Sequence, residues 1–182
     1  VLQRMNYERI ESDHPPGKNY WDESRAILIT YGDSITGPPE PPLASLNEFV
    51  EQRLSDVISD VHILPFFPSS SDDGFAVKDY LSVDGELGQW SDIELICENR
   101  ALLVDLVINH CSSEHPWFEQ FKSNASPGKD FFVEVDPLSD LSKVVRPRTS
   151  ELLRETERED GSSFVWCTFS HDQVDLDFAN PE

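Results

Sequence analysis

The polar loop from Ser69 to Gly74 carries the residues best suited to bind a ligand. It reads SSSDDG, with Asp72 and Asp73 near its end and Phe75 directly after it. It follows the apolar run Val61–Phe67, which is typical of a strand buried in a parallel sheet. In α/β folds, ligands meet the loops at the carboxyl ends of strands, so these carboxylates are placed to accept hydrogen bonds from a ligand. An ordinary loop, in which Asp and Ser cap a turn, is the alternative.

A second polar position, His110, follows Asn109 at the end of the apolar segment Leu102–Ile108. A histidine at a strand end can donate a hydrogen bond to a ligand hydroxyl. A lone histidine that is satisfied within a turn is the alternative. Asp105 lies inside the same predicted strand, where an unpaired carboxylate would be costly. We therefore expect Asp105 to have a cationic partner, most simply an arginine.

Two groups of possible metal ligands match no standard motif. His110, Cys111 and His115 lack the spacing of a zinc site. The acidic stretch 172–177 lacks the Gly and the terminal Glu of an EF-hand calcium loop. We therefore predict no metal site and no cofactor.

Alternating apolar segments predict the framework that positions these residues. The predicted elements are strand 26–31, helix Leu43–Leu54, strand 61–67, a helix after Trp90 and strand 102–108. Ser91 and Glu94 have the spacing of a capping box at the start of the second helix. The order β, α, β, α, β predicts a parallel sheet with helical crossovers.

The two helices are amphipathic, which predicts the residues that face the sheet. They are Leu43, Leu46, Phe49, Val50 and Leu54 in the first helix, and Ile93, Ile96 and Cys97 in the second. The regular pattern ends at Cys111. Beyond it we predict a short helix, Glu114–Ser123, a loop over 124–140, and short strands over Leu141–Arg148 and Ser163–Phe169. In the short helix, Trp117, Phe118 and Phe121 are expected to point inward.

Composition limits the classes of partner. The 182 residues carry 35 acidic and 14 basic side chains, a formal net charge of −21. Such a surface repels phosphate backbones, so we expect neither nucleic acid nor an anionic membrane as a partner. A salt-adapted organism is one explanation of the acidity; an ordinary acidic enzyme, or a fragment lacking basic parts, is another. Three widely spaced cysteines and no signal peptide predict a cytoplasmic location.

Six segments occur in the order found in one enzyme family. They are LPFFPSSSDDGFAVKDY, LGQW, VDLVINHCS, WF, VVRPR and VWCTFSHDQVDLDFANP. Together they resemble the sucrose phosphorylase branch of the α-amylase superfamily, glycoside hydrolase family 13. The variants that they most resemble act on sucrose 6-phosphate or glucosylglycerate. The resemblance covers nearly the whole chain, from about Ala26 to Pro181.

The resemblance assigns roles to the polar residues. Those implied to line the pocket for the glucosyl unit are Asp72, Phe75, His110, Phe169 and Gln173. Arg148 resembles a residue that admits phosphate or the acceptor, a task that suits the two-pronged guanidinium group; a surface ion pair is the alternative. Asp79, Asp105 and Asn109 are expected to be structural, with the arginine partner of Asp105 on a fourth strand. Asp73 is expected to be a loop carboxylate.

The resemblance also implies a partial (β/α)8 barrel. Residues 1–25 would be a lead-in, 26–110 the first part of the barrel, 111–170 an inserted small irregular domain, and 171–182 the return towards strand four. A complete barrel takes about 250 residues. With about three of the eight strands, the chain is expected to be an N-terminal fragment.

By resemblance the complete enzyme is a phosphorylase that converts an α-glucoside and inorganic phosphate into α-glucose 1-phosphate by retaining double displacement. The resemblance also implies that the complete enzyme can form a homodimer. The family places its nucleophilic Asp after strand four, in an Arg-x-Asp context, and its acid/base Glu after strand five. We expect neither in this chain, and so no activity from it alone. The alternatives are an α-glucoside hydrolase or transglucosylase, and a non-catalytic sugar-binding or interaction fragment.

Overall fold

The computed structural model describes residues 22–146 and 148–181. Most of the predicted lead-in, 1–25, therefore lies outside the described residues. The chain begins with a parallel β-α-β-α-β arrangement of strands β1 (Ile27–Thr30), β2 (Asp60–Ile63) and β3 (Ala101–Val104) and helices α1 (Pro42–Arg53) and α2 (Trp90–Cys97). The strand order is β1-β2-β3, and Ile27 pairs with Asp60, which in turn pairs with Ala101. The predicted parallel sheet with helical crossovers is confirmed.

The second and third strands are shorter than predicted. The pairing of β2 with β3 ends at Ile63 and Val104, and Pro65, which has no N–H to donate, follows soon after β2. Asp105 therefore lies just beyond its strand, whereas we had expected it inside the strand.

Helices α1 and α2 cover one face of the sheet. The first core consists of buried residues from α1, β2, α2 and the loop after β2: Leu43, Leu46, Val50, Val61, Ile63, Phe66, Val83, Ile93 and Ile96. Two predicted inward positions are wrong, because Phe49 and Cys97 are exposed. The capping box is also displaced: α2 begins at Trp90, and the backbone N–H of Gln89 donates to the Asp92 carboxylate at 2.8 Å, so Ser91 lies inside the helix.

Residues 110–177 form a second region with antiparallel pairing. It contains β4 (His110–Ser112), α3 (Pro116–Lys122), β5 (Leu153–Arg158), β6 (Gly161–Trp166) and β7 (Gln173–Asp175). Strand β4 pairs with β7, and β5 pairs with β6. The second core consists of Cys111, Phe118, Phe121, Phe132, Val165, Cys167 and Val174. The predicted short helix is confirmed, with Phe118 and Phe121 fully buried.

Strand predictions in the second region were less accurate. Residues 141–146 and Arg148 form no strand, because this segment has no partner strand and leaves Val145 96% exposed. The predicted strand Ser163–Phe169 is β6, which begins at Gly161 and ends at Trp166. Strand β5 was missed. Its signal was Asp160-Gly161, a turn-forming pair between two segments that form a hairpin.

Candidate functional site

The loop after β2 is shaped by three residues with left-handed backbone. Asp72 and Asp73 have φ values of 58° and 50°, and Gly74 has a φ of 99°. A Cβ atom on Gly74 would lie 2.4 Å from the carbonyl oxygen of Pro65, so only glycine fits there. Aspartate tolerates the left-handed region better than most residues. The resulting turn presents the exposed Asp72 side chain towards the second region.

Gln173, the first residue of β7, joins this loop to the second region. Its side-chain amide donates a hydrogen bond to the Asp72 carboxylate at 2.8 Å, and its Oε1 accepts one from the Ser170 hydroxyl at 3.0 Å. The side chain is fully buried. A buried amide with both ends bonded is fixed in position, so it also fixes the Asp72 carboxylate.

His110 opens β4 and lies beside the same amide. Its Nε2 is 3.2 Å from the Gln173 nitrogen and 3.1 Å from the carbonyl oxygen of Phe75. Since a carbonyl can only accept, this contact assigns the proton to Nε2. Burial lowers the pKa of His110, and this outweighs the Phe75 carbonyl and the carboxylates of Asp175 and Asp72, which raise it. The imidazole is therefore neutral at neutral pH and presents an N–H donor.

Phe169 and Arg148 complete the group. The Phe169 ring lies 5.1 Å from the His110 ring, centroid to centroid. The guanidinium carbon of Arg148 lies 5.5 Å from the Phe169 centroid, a cation–π arrangement. We define the polar cluster as the side chains of Asp72, His110, Arg148, Phe169 and Gln173 together with the Phe75 carbonyl. The structure thus brings together the side chains of five of the six residues that the resemblance placed at the glucosyl pocket or the phosphate side, while Phe75 takes part through its backbone carbonyl.

The three residues expected to be structural have their contacts elsewhere. Asp79 accepts hydrogen bonds from the Leu81 backbone N–H, at 2.8 Å, and from the Ser82 hydroxyl. The backbone oxygen of Asn109 accepts from the Leu176 N–H at 2.9 Å. The Asp105 carboxylate lies 3.0 Å from His62 Nε2. Its partner in the described chain is thus a histidine, and the expectation of an arginine is not met there.

One residue next to the cluster was not singled out from the sequence for this site. Asp172 accepts hydrogen bonds from the hydroxyls of Ser70, Ser71 and Ser113 at 2.5–2.7 Å. The sequence signal was the run of three serines before Asp72, which supplies hydroxyls without apolar bulk. The sequence could not show that a residue about a hundred positions later would receive them.

The metal hypotheses do not gain support from the geometry. In the residues that the structure describes, no three His, Cys, Asp or Glu side chains converge as metal ligands would. Burial raises the pKa of Cys111 to about 12, so its thiol stays protonated and is a poor ligand. His115 Nδ1 accepts from the Trp117 backbone N–H at 3.1 Å and caps α3.

A large cavity of the described structure lies elsewhere. It has a volume of about 730 Å³ and is mainly apolar, with Tyr80, Trp117 and Phe131 in its wall. Of the predicted site residues only Asp79 lines it, and its carboxylate already accepts two hydrogen bonds. A sugar needs several converging polar groups. The polar cluster presents such groups together, whereas the wall of this cavity is mainly apolar.

An Arg-x-Asp sequence does occur, at Arg158-Glu159-Asp160, contrary to our expectation of none. The structure places it at the turn between β5 and β6. Arg158 contacts the carboxylates of Glu134, at 3.0 Å, and Asp160, at 3.3 Å, and the Asp160 side chain is 55% exposed. Asp160 is therefore an exposed turn residue, outside the polar cluster.

Residues 57–182 match the family model described as alpha amylase, catalytic domain. A glucosylglycerate phosphorylase of Allomeiothermus silvanus is 51% identical, with an alignment that covers 100% of this chain and 33% of that protein. A glucosylglycerate phosphorylase of Escherichia coli is 45% identical over 91% of this chain and 30% of its own length. The chain thus spans about a third of the length of the curated relatives it matches.

Solved structures agree with these matches. The crystal structure of a sucrose 6F-phosphate phosphorylase from Thermoanaerobacter thermosaccharolyticum superposes with a TM-score of 0.78 at 34% identity, and covers 88% of this chain and 35% of that one. A trehalulose synthase mutant superposes with a TM-score of 0.73 at 22% identity, over 87% of this chain and 30% of its own. The second match shows the fold alone. The first, with the curated relatives, confirms the resemblance to the phosphorylase branch.

Proposed function

Because the chain belongs to the α-amylase catalytic-domain family, we propose that it contributes the donor-sugar side of the active site of a glucosyl-transferring phosphorylase. One observation carries the proposal. Segments far apart in the sequence converge so that the Gln173 amide donates a hydrogen bond to Asp72 and lies 3.2 Å from the His110 ring nitrogen. The relatives named as glucosylglycerate and sucrose phosphorylases support the same assignment.

The chemistry of the polar cluster suits a glucosyl unit. Sugar hydroxyls both donate and accept, so a pocket for them needs both kinds of group. The Asp72 carboxylate accepts from a hydroxyl, and the neutral His110 donates through Nε2 when a sugar oxygen replaces the Phe75 carbonyl. Phe169 offers an apolar ring face beside them. We propose that these side chains hold and orient the sugar, while the reacting carboxylates come from elsewhere.

Arg148 is proposed to serve phosphate. A dianion that enters a protein with a net charge of −21 needs a local cation, whereas a neutral sugar does not. Arg148 lies against Phe169, one ring away from His110, and so at the edge of the proposed glucosyl pocket. Its guanidinium can pair with two phosphate oxygens at once.

The proposed reaction is double displacement with retention. A carboxylate attacks the anomeric carbon of an α-glucoside, and the rest of the donor leaves with a proton from an acid/base residue. Phosphate then takes the glucosyl group from the carboxylate to give α-glucose 1-phosphate. This needs two carboxyl groups about 5 Å apart. We propose that both belong to a longer protein, in which residues 111–170 are a small domain inserted in a barrel, and that the 182-residue chain alone is inactive.

The test measures phosphorolysis by the complete protein that contains this chain. Glucosylglycerate, sucrose and sucrose 6-phosphate are each incubated with phosphate, and α-glucose 1-phosphate is quantified. We expect phosphate-dependent release from at least one donor, and none above the buffer blank from the 182-residue chain. Release of glucose at a rate independent of phosphate would contradict the proposal and favour a hydrolase.

Substitutions then test the sugar-binding role. Asp72→Ala and His110→Ala each remove a polar contact worth about 1.5–3 kcal/mol, so kcat/KM should fall by roughly one to two decades for every donor. Asp136→Ala is the control, because Asp136 is exposed and its carboxylate accepts from the Leu138 N–H, outside the polar cluster. If Asp72→Ala is no worse than the control, Asp72 does not bind the donor.

A further inference from the structure

Asp172 makes an unusual set of contacts for a carboxylate. One oxygen accepts hydrogen bonds from the Ser70 hydroxyl at 2.6 Å and the Ser71 hydroxyl at 2.5 Å, and the other accepts from Ser113 at 2.7 Å. Within the described part of the chain Asp172 forms no ion pair. This carboxylate is therefore held by directional hydrogen bonds from three hydroxyl groups and not by one ion pair.

These contacts join three segments that are distant in the sequence. Ser70 and Ser71 lie in the loop after β2, Ser113 follows β4, and Asp172 precedes β7. The junction is reinforced by the backbone, since the Ser113 N–H donates to the Asp172 carbonyl at 2.8 Å. A Ser70–Ser112 hydroxyl contact at 2.5 Å extends the network to β4.

The contact between Ser71 and Asp172 lies directly beside the contact that forms the proposed sugar site. Ser71 is followed by Asp72, and Asp172 is followed by Gln173, so the two side-chain bonds are adjacent links between the same two segments. If the first link is lost, the loop and β7 can separate, and the Asp72 carboxylate then moves relative to the Gln173 amide.

The charge state of Asp172 fits this arrangement. Burial alone raises its pKa, but the hydrogen bonds from Ser70, Ser71 and Ser113, with attraction to Arg154, lower the pKa below its ordinary value. The carboxylate is therefore ionised at neutral pH and accepts all three hydrogen bonds.

We propose that Asp172 is a positioning residue: its carboxylate, held by Ser70, Ser71 and Ser113, fixes the loop that carries Asp72 against Gln173. Asp172 itself does not touch the sugar. The kinetic part of this inference rests on the proposed function. It predicts that loss of the Asp172 carboxylate weakens donor binding and leaves phosphate binding unchanged, because Arg148 packs on the Phe169 ring, which is not one of the groups that Asp172 joins.

The experiment compares variants of the complete protein by kinetics and by hydrogen exchange. Asp172→Ala should raise the donor KM and lower kcat/KM about tenfold, with the phosphate KM unchanged. The amides of Phe75 and Ala76, which bond to the carbonyls of Asp72 and Ser71, should exchange faster. Asp172→Asn and Ser113→Ala keep part of the network, so their effects should be smaller in the same direction.

Asp140→Ala is the matched control. Asp140 is an exposed aspartate whose pKa is likewise lowered by hydrogen bonds from a serine, Ser142, and it lies outside the polar cluster. If Asp172→Ala speeds exchange while the donor KM stays at the control value, the contact stabilises the fold without positioning Asp72, and the inference is wrong. Equal increases in the donor KM and the phosphate KM would also overturn it.

Two further outcomes keep the test decisive. If Asp172→Ala does not fold, Asp172→Asn and Ser113→Ala carry the comparison, and donor KM values equal to the control contradict the inference. If the unsubstituted protein shows no phosphorolysis, the proposed function fails. In that case, exchange at Phe75 and Ala76 that matches the control also overturns the positioning of the loop by Asp172.

Discussion

The two regions of this chain differ in where they leave apolar residues exposed. In the first region, helices α1 and α2 cover one face of the sheet, and the other face is open: Ile29 in β1 is 62% exposed and Val104 in β3 is 48% exposed. Beyond β3, Leu106 is 77% exposed. In the second region, Phe118, Phe121 and Val165 are 0% exposed.

This difference shows which part of the chain is self-contained. The core of residues 110–177 closes on itself through edge-to-face and stacked rings, such as Phe118 with Phe121 and Phe132. The sheet region leaves an apolar face that needs a further layer. The polar cluster lies where the two regions meet, with Asp72 from the sheet region and Gln173 from the closed one.

No helix in the described part of the chain is long and apolar enough to cross a bilayer.

The open face of the sheet is interrupted by the polar pair His62 and Asp105. Because the open face exposes Ile29, Val104 and Leu106, we expect the 182-residue chain alone to self-associate through it. Sedimentation velocity tests this, and a monomer at low salt with one cooperative unfolding transition would contradict it.

The strongest test of the contrast truncates one residue in each region. Phe118→Ala leaves a cavity in a closed core and should lower the free energy of unfolding by about 3–5 kcal/mol. In the 182-residue chain, diluted until it is monomeric, Ile29→Ala removes a side chain that is already exposed, so its effect should stay within about 0.5 kcal/mol. Urea unfolding of both variants provides the comparison. A similar decrease in the free energy of unfolding for both variants would show that the open face is covered in solution.

A smaller effect is expected at the loop that carries Asp72. Gly74→Ala forces a side chain into a left-handed backbone position and against Pro65, and should cost about 1–3 kcal/mol. Gly85→Ala is the matched control, because a Cβ atom there meets nothing within 4 Å. The midpoint of thermal unfolding measures both. An unchanged midpoint for Gly74→Ala would mean that the loop does not need this conformation.

The dependence of fold stability on pH should be weaker still and have a definite sign. Burial lowers the pKa of His110 and of His115 below the ordinary value of 6.5. The unfolded chain then binds protons that the folded chain excludes, so stability that is present above about pH 6.5 is lost as the pH falls below it. Urea midpoints between pH 7 and 5 should therefore decrease, and less so in His110→Gln. A midpoint that rises on acidification would contradict the assigned shifts.

Prediction from the sequence succeeded where local pattern determines structure. The period of apolar residues gave α1, α2 and the parallel strands, because each element buries one face against its neighbours. It failed at Leu141–Arg148, a segment of strand-like composition whose described residues, 141–146 and 148, have no partner strand. Strand pairing is a long-range property that composition does not contain.

Prediction of the site likewise succeeded for local motifs and failed for long-range contacts. The residues of the polar cluster were found through a resemblance in their local motifs, including Asp72 and Gln173, which lie about a hundred positions apart. The links between them were not predictable, because Asp172 and its serines meet only when β7 packs beside β4. The His62 partner of Asp105 was missed for a similar reason, since only the pairing of β2 with β3 brings the two residues together.

The most direct test of the central claim is a phosphate titration of the complete protein at fixed donor, beside hydrolysis measured without phosphate. The claim is that Asp72 and His110 bind the glucosyl unit while Arg148 serves phosphate. Because the Arg148 side chain is exposed, its loss should have a moderate effect. We predict that Arg148→Ala raises the phosphate KM several-fold and leaves hydrolysis nearly unchanged. Equal depression of hydrolysis and phosphorolysis, with the phosphate KM unaltered, would contradict the account.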